Sequence, residues 1–295
     1  MLSAIIKSAV CPTVFQSADI YSALKKDGSI VLHMEGFDLT AFSQLIGQLC
    51  GRLTFDPARE HVSAAAQSVD AGTDAVGLHI ENGNTPLPPD IVSFYSARSA
   101  TEGAQTTLCD GAAVFNDIPD RILRRFEKPF TMTRYLPKVI WQRYVATAFG
   151  VEHPDQVEHN LLEQFIGAVK GQSYHWAQEE GIDYTLAIPA VRHDNLAGRP
   201  AFANSLLGPS WNYEAPVYRF ANNDVIDTDL IAELRLLGER HTIEIPWRDG
   251  DVAVVDNKRV MHGRREITVP LSQRQLFIAM GLDVSIFKLN KLKKV

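Results

Sequence analysis

Val76-Gly77-Leu78-His79-Ile80-Glu81 is the stretch that decides how this chain reads. Apolar residues alternate there with small or polar ones, the pattern of a half-buried strand. A period of two turns His79 and Glu81 to one face and Ile80 to the other. An imidazole and a carboxylate on neighbouring same-face positions, joined by an imidazole from a distant strand, can cap one triangular face of an octahedral metal and leave the opposite face open. His262, in His262-Gly263-Arg264, supplies that second imidazole, and Arg274 opens a further apolar strand downstream.

Working outward, the strands around this stretch run from Val76 to Leu108: the His79 strand, then Ile91 to Ser96, then Thr106 to Cys109. Pro86, Pro88 and Pro89 separate the first two and predict a loop over the metal, not a tight hairpin. Upstream, Ile20 to Leu24 reads as a helix ended by Lys26-Asp27-Gly28, and Ile30 to Met34 as a strand. Phe42, Leu45, Ile46 and Leu49 predict a second helix with Gly51 as its left-handed stop. Residues 112 to 180 read as helical, with Pro154 at a first helical position and Leu161, Leu162, Phe165, Ile166 and Val169 as an apolar stripe. Leu230, Ile231, Leu234 and Leu237 make another helix, and Val252 to Asp256 and Arg274 to Met280 are strands that bracket His262. The pattern is mainly β with α insertions, and it predicts a double-stranded β-helix, or jelly roll. One domain is expected over residues 1–295: an N-terminal α/β layer over about 1–70, a jelly-roll core over about 71–110 and 184–282, and a helical insertion over about 112–180.

Bulk composition narrows the partners. The 295 residues are 45% hydrophobic and carry a net charge of −6, which suits a chain that buries a substantial core. No basic stripe points to nucleic acid or an anionic membrane surface, and no apolar run approaches the ~18 residues of a membrane span. The first residues lack the pattern of a signal peptide. Cys11, Cys50 and Cys109 are scattered and odd in number, so free thiols and a cytoplasmic location are expected.

At this point the chain resembles the 2-oxoglutarate-dependent oxygenases grouped with taurine dioxygenase and clavaminate synthase. The resemblance covers roughly residues 60 to 282. Leu78-His79-Ile80-Glu81-Asn82, Gly103-Ala104-Gln105-Thr106-Thr107-Leu108-Cys109-Asp110-Gly111, Gly250-Asp251 through Asp256-Asn257, His262-Gly263-Arg264 and Arg274 carry it. It implies Fe(II) held by His79, Glu81 and His262, with 2-oxoglutarate and dioxygen as cosubstrates and His79, Glu81 and His262 as the catalytic centre. It further implies that Arg274, a planar and permanently charged fork, and Thr106 bind the far carboxylate of 2-oxoglutarate. The alternative for Arg274 is a surface salt bridge. Members that halogenate have Gly or Ala at the place of Glu81, so the resemblance implies hydroxylation, desaturation or cyclisation.

One departure bears on the substrate. Relatives that act on free amino acids or taurine have a second arginine where this chain has Ile278. Residues 274 and 278 share a strand face, so an apolar wall is expected in its place, against which a free carboxylate would be left uncompensated. The expected substrate is an amino-acid-derived or peptide-derived small molecule with a masked acid: an amide, a cyclic dipeptide or a carrier-tethered acyl group, in natural-product biosynthesis. Arg219 or Arg192 is the alternative counterion. Asn82 and Trp211 are further substrate candidates, Asn82 being equally suited to capping the loop. The competing function is a cupin-like metal-dependent isomerase or small-molecule binding protein, which has no need of a dicarboxylate clamp.

Overall fold

The computed structural model describes residues 6–9, 17–34, 36–57, 59–69, 72–208 and 215–284. Strand β1 (Ile6–Ala9), helix α1 (Ser17–Asp27), strand β2 (Ser29–Met34) and helix α2 (Leu39–Leu49) come first. Gly28, at φ +77°, turns α1 into β2, a backbone conformation that glycine adopts without strain. Asp38 caps α2 by accepting from the Ala41 amide at 2.7 Å, and Phe42, Ile46 and Leu49 form its buried face. Gly51 is not the left-handed stop that the sequence suggests. The chain leaves α2 through an extended Cys50 and enters strand β3 (Cys50–Thr54) directly. Pairing of β3 with the last strand satisfies the backbone there, so no left-handed cap is needed.

Strands β4 (Gln67–Ser68), β5 (Val76–His79), β6 (Ile91–Arg98) and β7 (Thr106–Asp110) follow, then helices α3 (Gly111–Asp117) and α4 (Asp120–Leu123). Next come β8 (Phe130–Leu136), α5 (Lys138–Phe149), α6 (His159–Ala168), β9 (Gln172–Trp176), β10 (Ile182–Ile188), β11 (Val191–His193), β12 (Pro200–Phe202) and β13 (Val217–Arg219). Helix α7 (Thr228–Arg240) and strands β14 (Thr242–Glu244), β15 (Asp251–Asp256), β16 (Val260–Arg264) and β17 (Gln275–Val284) complete the described chain.

A large sheet runs β1-β2-β15-β6-β17-β3, with β4 added against β17, and a smaller one runs β14-β7-β16-β5. Phe94, Val255, Ile278 and Met280 of the large sheet share one apolar core with Leu108, Ile245 and Val260. On its other face, Tyr95, Val254 and Phe277 pack against Leu24, Phe42 and Ile46 of the first two helices. This is the jelly-roll arrangement, two sheets face to face around one core.

A third sheet, β13-β8-β10-β9, corrects the helical expectation for residues 112 to 180. That region does contain α5 and α6, but β8 and β9 lie inside it, and His175 and Trp176 are strand residues, not a helix end. Trp141, Val145 and Leu162 of the two helices join the core behind this sheet. The strand β8 escapes a sequence reading because Arg134 interrupts its inward apolar row, Phe130-Met132-Arg134-Leu136. Among the described residues no helix is long and apolar enough to cross a membrane.

Candidate active site

Strands β5 and β16 are antiparallel neighbours, and His79 and His262 are partners in register. Their rings stand 4.3 Å apart, centroid to centroid. Gly263 lets β16 lie close to β5, since a Cβ there would fall 2.5 Å from the Val76 carbonyl oxygen, while Gly77 admits the backbone of the Leu207 loop, where a Cβ would fall 2.0 Å from the Leu207 carbonyl oxygen. Glu81 lies just past β5 and is 4% exposed. Asn257 pins its backbone from both sides, accepting from the Glu81 amide at 2.8 Å and donating to its carbonyl at 3.1 Å. The Asn257 amide thus continues the sheet where β5 ends.

His79, Glu81 and His262 each offer one ligand atom, all within 4.8 Å of one another. His262 Nε2 lies 3.2 Å from Glu81 Oε2, while its buried Nδ1 has no partner among the described residues. His79 Nδ1 lies 2.8 Å from the Gly77 carbonyl, so that nitrogen carries the proton and Nε2 keeps its lone pair. Burial, and then the neighbouring His262, push His79 down to about 4. Burial alone would raise the Glu81 carboxyl, yet Arg59 and the two histidines hold it well below the usual carboxylate range. A neutral imidazole beside an ionised carboxylate is the deprotonated donor set that a divalent metal requires. The residues fit a metal ion.

Arg59 donates to Glu81 Oε1 at 3.0 Å and lies 3.5 Å from Asp56. Its segment is tied down by the buried Gln67, which accepts from the Asp56 amide at 2.9 Å and donates to the Asp56 carbonyl at 2.8 Å. Phe94 meets the His262 ring edge-on at 5.1 Å and fixes its tilt.

Thr106 and Arg264 stand on β7 and β16, the strands that pair Leu108 with His262, and Arg264 donates to the Gly72 and Asp74 carbonyls at 2.9 and 2.6 Å. Thr106 and Arg264 are partners in register, and Thr106 Oγ1 accepts from the Trp247 indole at 2.9 Å. Burial, and then the Arg264 charge, push Arg274 down to about 10. One terminal nitrogen of Arg274, Nη2, is buried with no partner among the described residues. A buried guanidinium nitrogen without a partner, near a second positive charge, favours an anion, and a carboxylate of 2-oxoglutarate fits that requirement.

A cavity of about 360 Å³ opens onto His79 and Glu81. Asn82 and Asn84 line it on the cluster side. Leu136, Leu162, Phe165 and Ile166 form an apolar wall contributed by β8 and α6. Asn82 adopts φ +51°, and its amide points at Met280 Sδ, 3.6 Å away. Trp211 lies outside the described residues. Ile278 is fully buried in the core between the two sheets, opposite Phe94, and is not on the wall of this cavity. It was expected to face substrate; the reason it does not is that its row on β17 points into the intersheet core. Arg192 and Arg219, the expected substitutes, bond to the Ala203 and Asn223 carbonyls and also lie off the wall. Sequence reasoning missed Arg59, Asn257 as an anchor of Glu81, and Arg134, a cation on the cavity wall. Cys109 is a buried core thiol pushed up to about 12, foremost by burial, as its apolar strand suggests.

Comparison with known proteins accords with this geometry. The model of the family "Taurine catabolism dioxygenase TauD, TfdA family" matches residues 12–280. The dapdiamide synthesis protein DdaC of Enterobacter agglomerans is 23% identical over 297 residues, spanning 90% of this chain and 86% of that protein. A clavaminate synthase-like protein of Arabidopsis thaliana is 25% identical over 120 residues, 38% of this chain and 36% of that one. Among solved structures, a taurine dioxygenase from Burkholderia xenovorans superposes with a TM-score of 0.60 at 14% identity, covering 95% of this chain and 86% of its own. An asparagine oxygenase in complex with Fe(II), 3-hydroxyasparagine and succinate does so with a TM-score of 0.52 at 16% identity, covering 90% and 77%. At such identities the structures show a shared fold.

Proposed function

This chain belongs to the TauD, TfdA family of dioxygenases, and we propose that His79, Glu81 and His262 hold its iron while Arg274, Arg264 and Thr106 hold its cosubstrate. As a member of that family it is an Fe(II)- and 2-oxoglutarate-dependent dioxygenase. Iron, 2-oxoglutarate and dioxygen together supply the oxidation of a substrate C–H bond, one oxygen atom going to the substrate and the other to succinate as carbon dioxide leaves. The observation that carries the residue assignment is the convergence of two histidines and one carboxylate within 4.8 Å, two of the three on the wall of a cavity.

The chain's own residues do the positioning. Gly77 carbonyl and Asn257 fix the first two ligands in direction. Arg274, whose Nη2 has no partner among the described residues, orients the keto acid through a charge-assisted, fork-shaped contact. The apolar wall from β8 and α6 excludes water from the space next to the cluster. The whole chain acts as one catalytic domain in the cytoplasm. Its substrate is an amino-acid-derived or peptide-derived small molecule, free or tethered to a carrier, in a natural-product pathway. The likeness to a dapdiamide synthesis protein along 90% of the chain supports that substrate class.

The test is release of succinate and carbon dioxide from 2-oxoglutarate by the purified protein with ferrous iron, across a panel of amino acids, amides and dipeptides. Stimulation by at least one compound, with its oxidised product found by mass spectrometry, is expected. No stimulation together with turnover of a sugar or keto acid by isomerisation would overturn the reading in favour of a cupin-like isomerase.

A further inference from the structure

Glu81 is held from several sides. Asn257 fixes its backbone at both the amide and the carbonyl. Its two carboxylate oxygens go different ways: Oε2 lies 3.2 Å from His262 Nε2, and Oε1 accepts from Arg59 Nη2 at 3.0 Å. Oε2 therefore faces the second imidazole, while Oε1 is turned to the guanidinium. The Glu81 side chain is 5% exposed and that of Arg59 20%, so water competes little for the contact between them.

Arg59 is itself fixed in place. Its Nε lies 3.5 Å from Asp56 Oδ2, and its amide donates to the Asp56 carbonyl at 3.1 Å. The buried Gln67 donates to the carbonyls of both Asp56 and Arg59, at 2.8 and 3.2 Å. Gln67 is in turn the register partner of Ile278 on β17. The guanidinium thus reaches Glu81 on a segment that is anchored to the large sheet.

A carboxylate can bind a divalent cation through one oxygen or through both. That choice decides how much of the metal stays open. An octahedral ion held by two imidazoles and one carboxylate oxygen keeps about three free positions, enough for a two-point keto acid and dioxygen. A second carboxylate oxygen would take one of them. A charge-assisted hydrogen bond on Oε1 is costlier to give up than a neutral one, and it opposes that second contact.

We propose that Arg59 is a positioning residue that limits Glu81 to one-oxygen ligation: by holding Oε1, it leaves Oε2 alone for the metal and preserves a position that 2-oxoglutarate needs. Arg59 thereby governs cosubstrate binding by acting through Glu81. The proposal rests on the assignment of His79, Glu81 and His262 as metal ligands.

The experiment loads the wild type, Arg59→Ala and Arg59→Lys with Mn(II) and needs no turnover. Broadening of the Mn(II) electron-spin-resonance lines by water enriched in a magnetic oxygen isotope counts the exchangeable waters on the ion. The wild type should hold about three and Arg59→Ala about two, a difference of one coordination position. Calorimetric titration should show the 2-oxoglutarate affinity of Arg59→Ala lower by roughly ten- to a hundredfold, the range typical when an outer partner of a metal ligand is lost. Mn(II) affinity should not fall with it, because removing a cation beside the site favours a bound cation. Arg59→Lys, which keeps a charged donor for Oε1, should restore the third water and most of the keto-acid affinity. A wild-type count of two waters would overturn the proposal without any variant. So would an Arg59→Ala protein that keeps three, or one whose Mn(II) and 2-oxoglutarate affinities fall together, the mark of a merely structural contact. Each of those results leaves the ligand assignment intact. A wild type that binds Mn(II) no better than His79→Ala would instead overturn the assignment, and the proposal with it.

Discussion

The β5–β16 pair, through His79, and the β8–β10 pair meet at the same cavity, yet they are built on opposite terms. In β5–β16 the polar groups are packed together and satisfied by backbone: His79 leans on the Gly77 carbonyl, and Asn257 brackets Glu81. Gly263 lets the strands lie close together, and Gly77 admits the backbone of the Leu207 loop against β5. In β8–β10 one cation stands among apolar side chains. The first pair is fixed tightly enough to hold a small ion, whereas the second presents a broad surface that a flexible organic molecule can cover. The proposed function sets chemistry on the first pair and substrate contact on the second.

The largest expected effect tests the first region. His79→Ala or His262→Ala should reduce turnover to background and weaken Mn(II) binding by more than ~100-fold, since the loss of an outer-shell partner alone costs up to that factor. Isothermal titration with Mn(II) and the succinate assay check both. A variant of either histidine with wild-type metal affinity would dissolve the distinction between the two regions.

Next in size, Arg274→Ala should raise the KM for 2-oxoglutarate on the order of a hundredfold, the equivalent of a charge-assisted contact to a buried partner. The KM for the organic substrate should move little. If the substrate KM moved equally, the arginine pair would belong to the substrate wall and not to the cosubstrate. Phe165→Ala then probes the opposite side of the cavity. Removing a ring that a bound apolar body covers should raise the substrate KM about tenfold and leave the 2-oxoglutarate KM unchanged, as measured by varying each in turn.

These two regions also differ in how legible they are. The cluster of His79, Glu81 and His262 can be read from sequence because a candidate metal site demands particular residue types on a strand of period two, and the ladder brings His79 and His262 into register. The large sheet is legible for the same reason: Val252 to Val255 and Leu276 to Met280 are apolar runs bounded by turns. Strand β8 is not, because its inward row contains Arg134, and the helical stripes of α5 and α6 on the chain after it dominate the local pattern. Asn257 meets Glu81 across 176 positions, a contact that no local spacing encodes. Arg59 reaches Glu81 from an irregular segment whose shape depends on the buried Gln67. The position read in the wrong place, Ile278, is counted from Arg274, but the ladder slips between Gln275 and Leu276, and alternation holds only from Leu276 onward. What the alternation leaves open is whether the face it selects looks into a cavity or into the core between sheets.

That last distinction is the finest one to test. Ile278 is fully buried with Phe94, Val92 and Leu108 around it, so Ile278→Val removes one methylene from a packed core. Such a change typically costs 0.5–1.5 kcal/mol, and for a chain of this size the melting temperature should fall by about 2–4 °C per kcal/mol. Substrate selectivity between a free acid and its amide should not move, because the side chain lies off the cavity wall. Phe94 is one route by which the change could reach the site, since it pairs with Ile278 and touches the His262 ring. A shift through that route would alter metal affinity for all substrates alike. Thermal unfolding together with acid-versus-amide kinetics separates the outcomes. An Ile278→Val protein of unchanged stability but altered acid preference would put position 278 on the substrate wall, and the division of labour between the two sheets would have to be redrawn around β17.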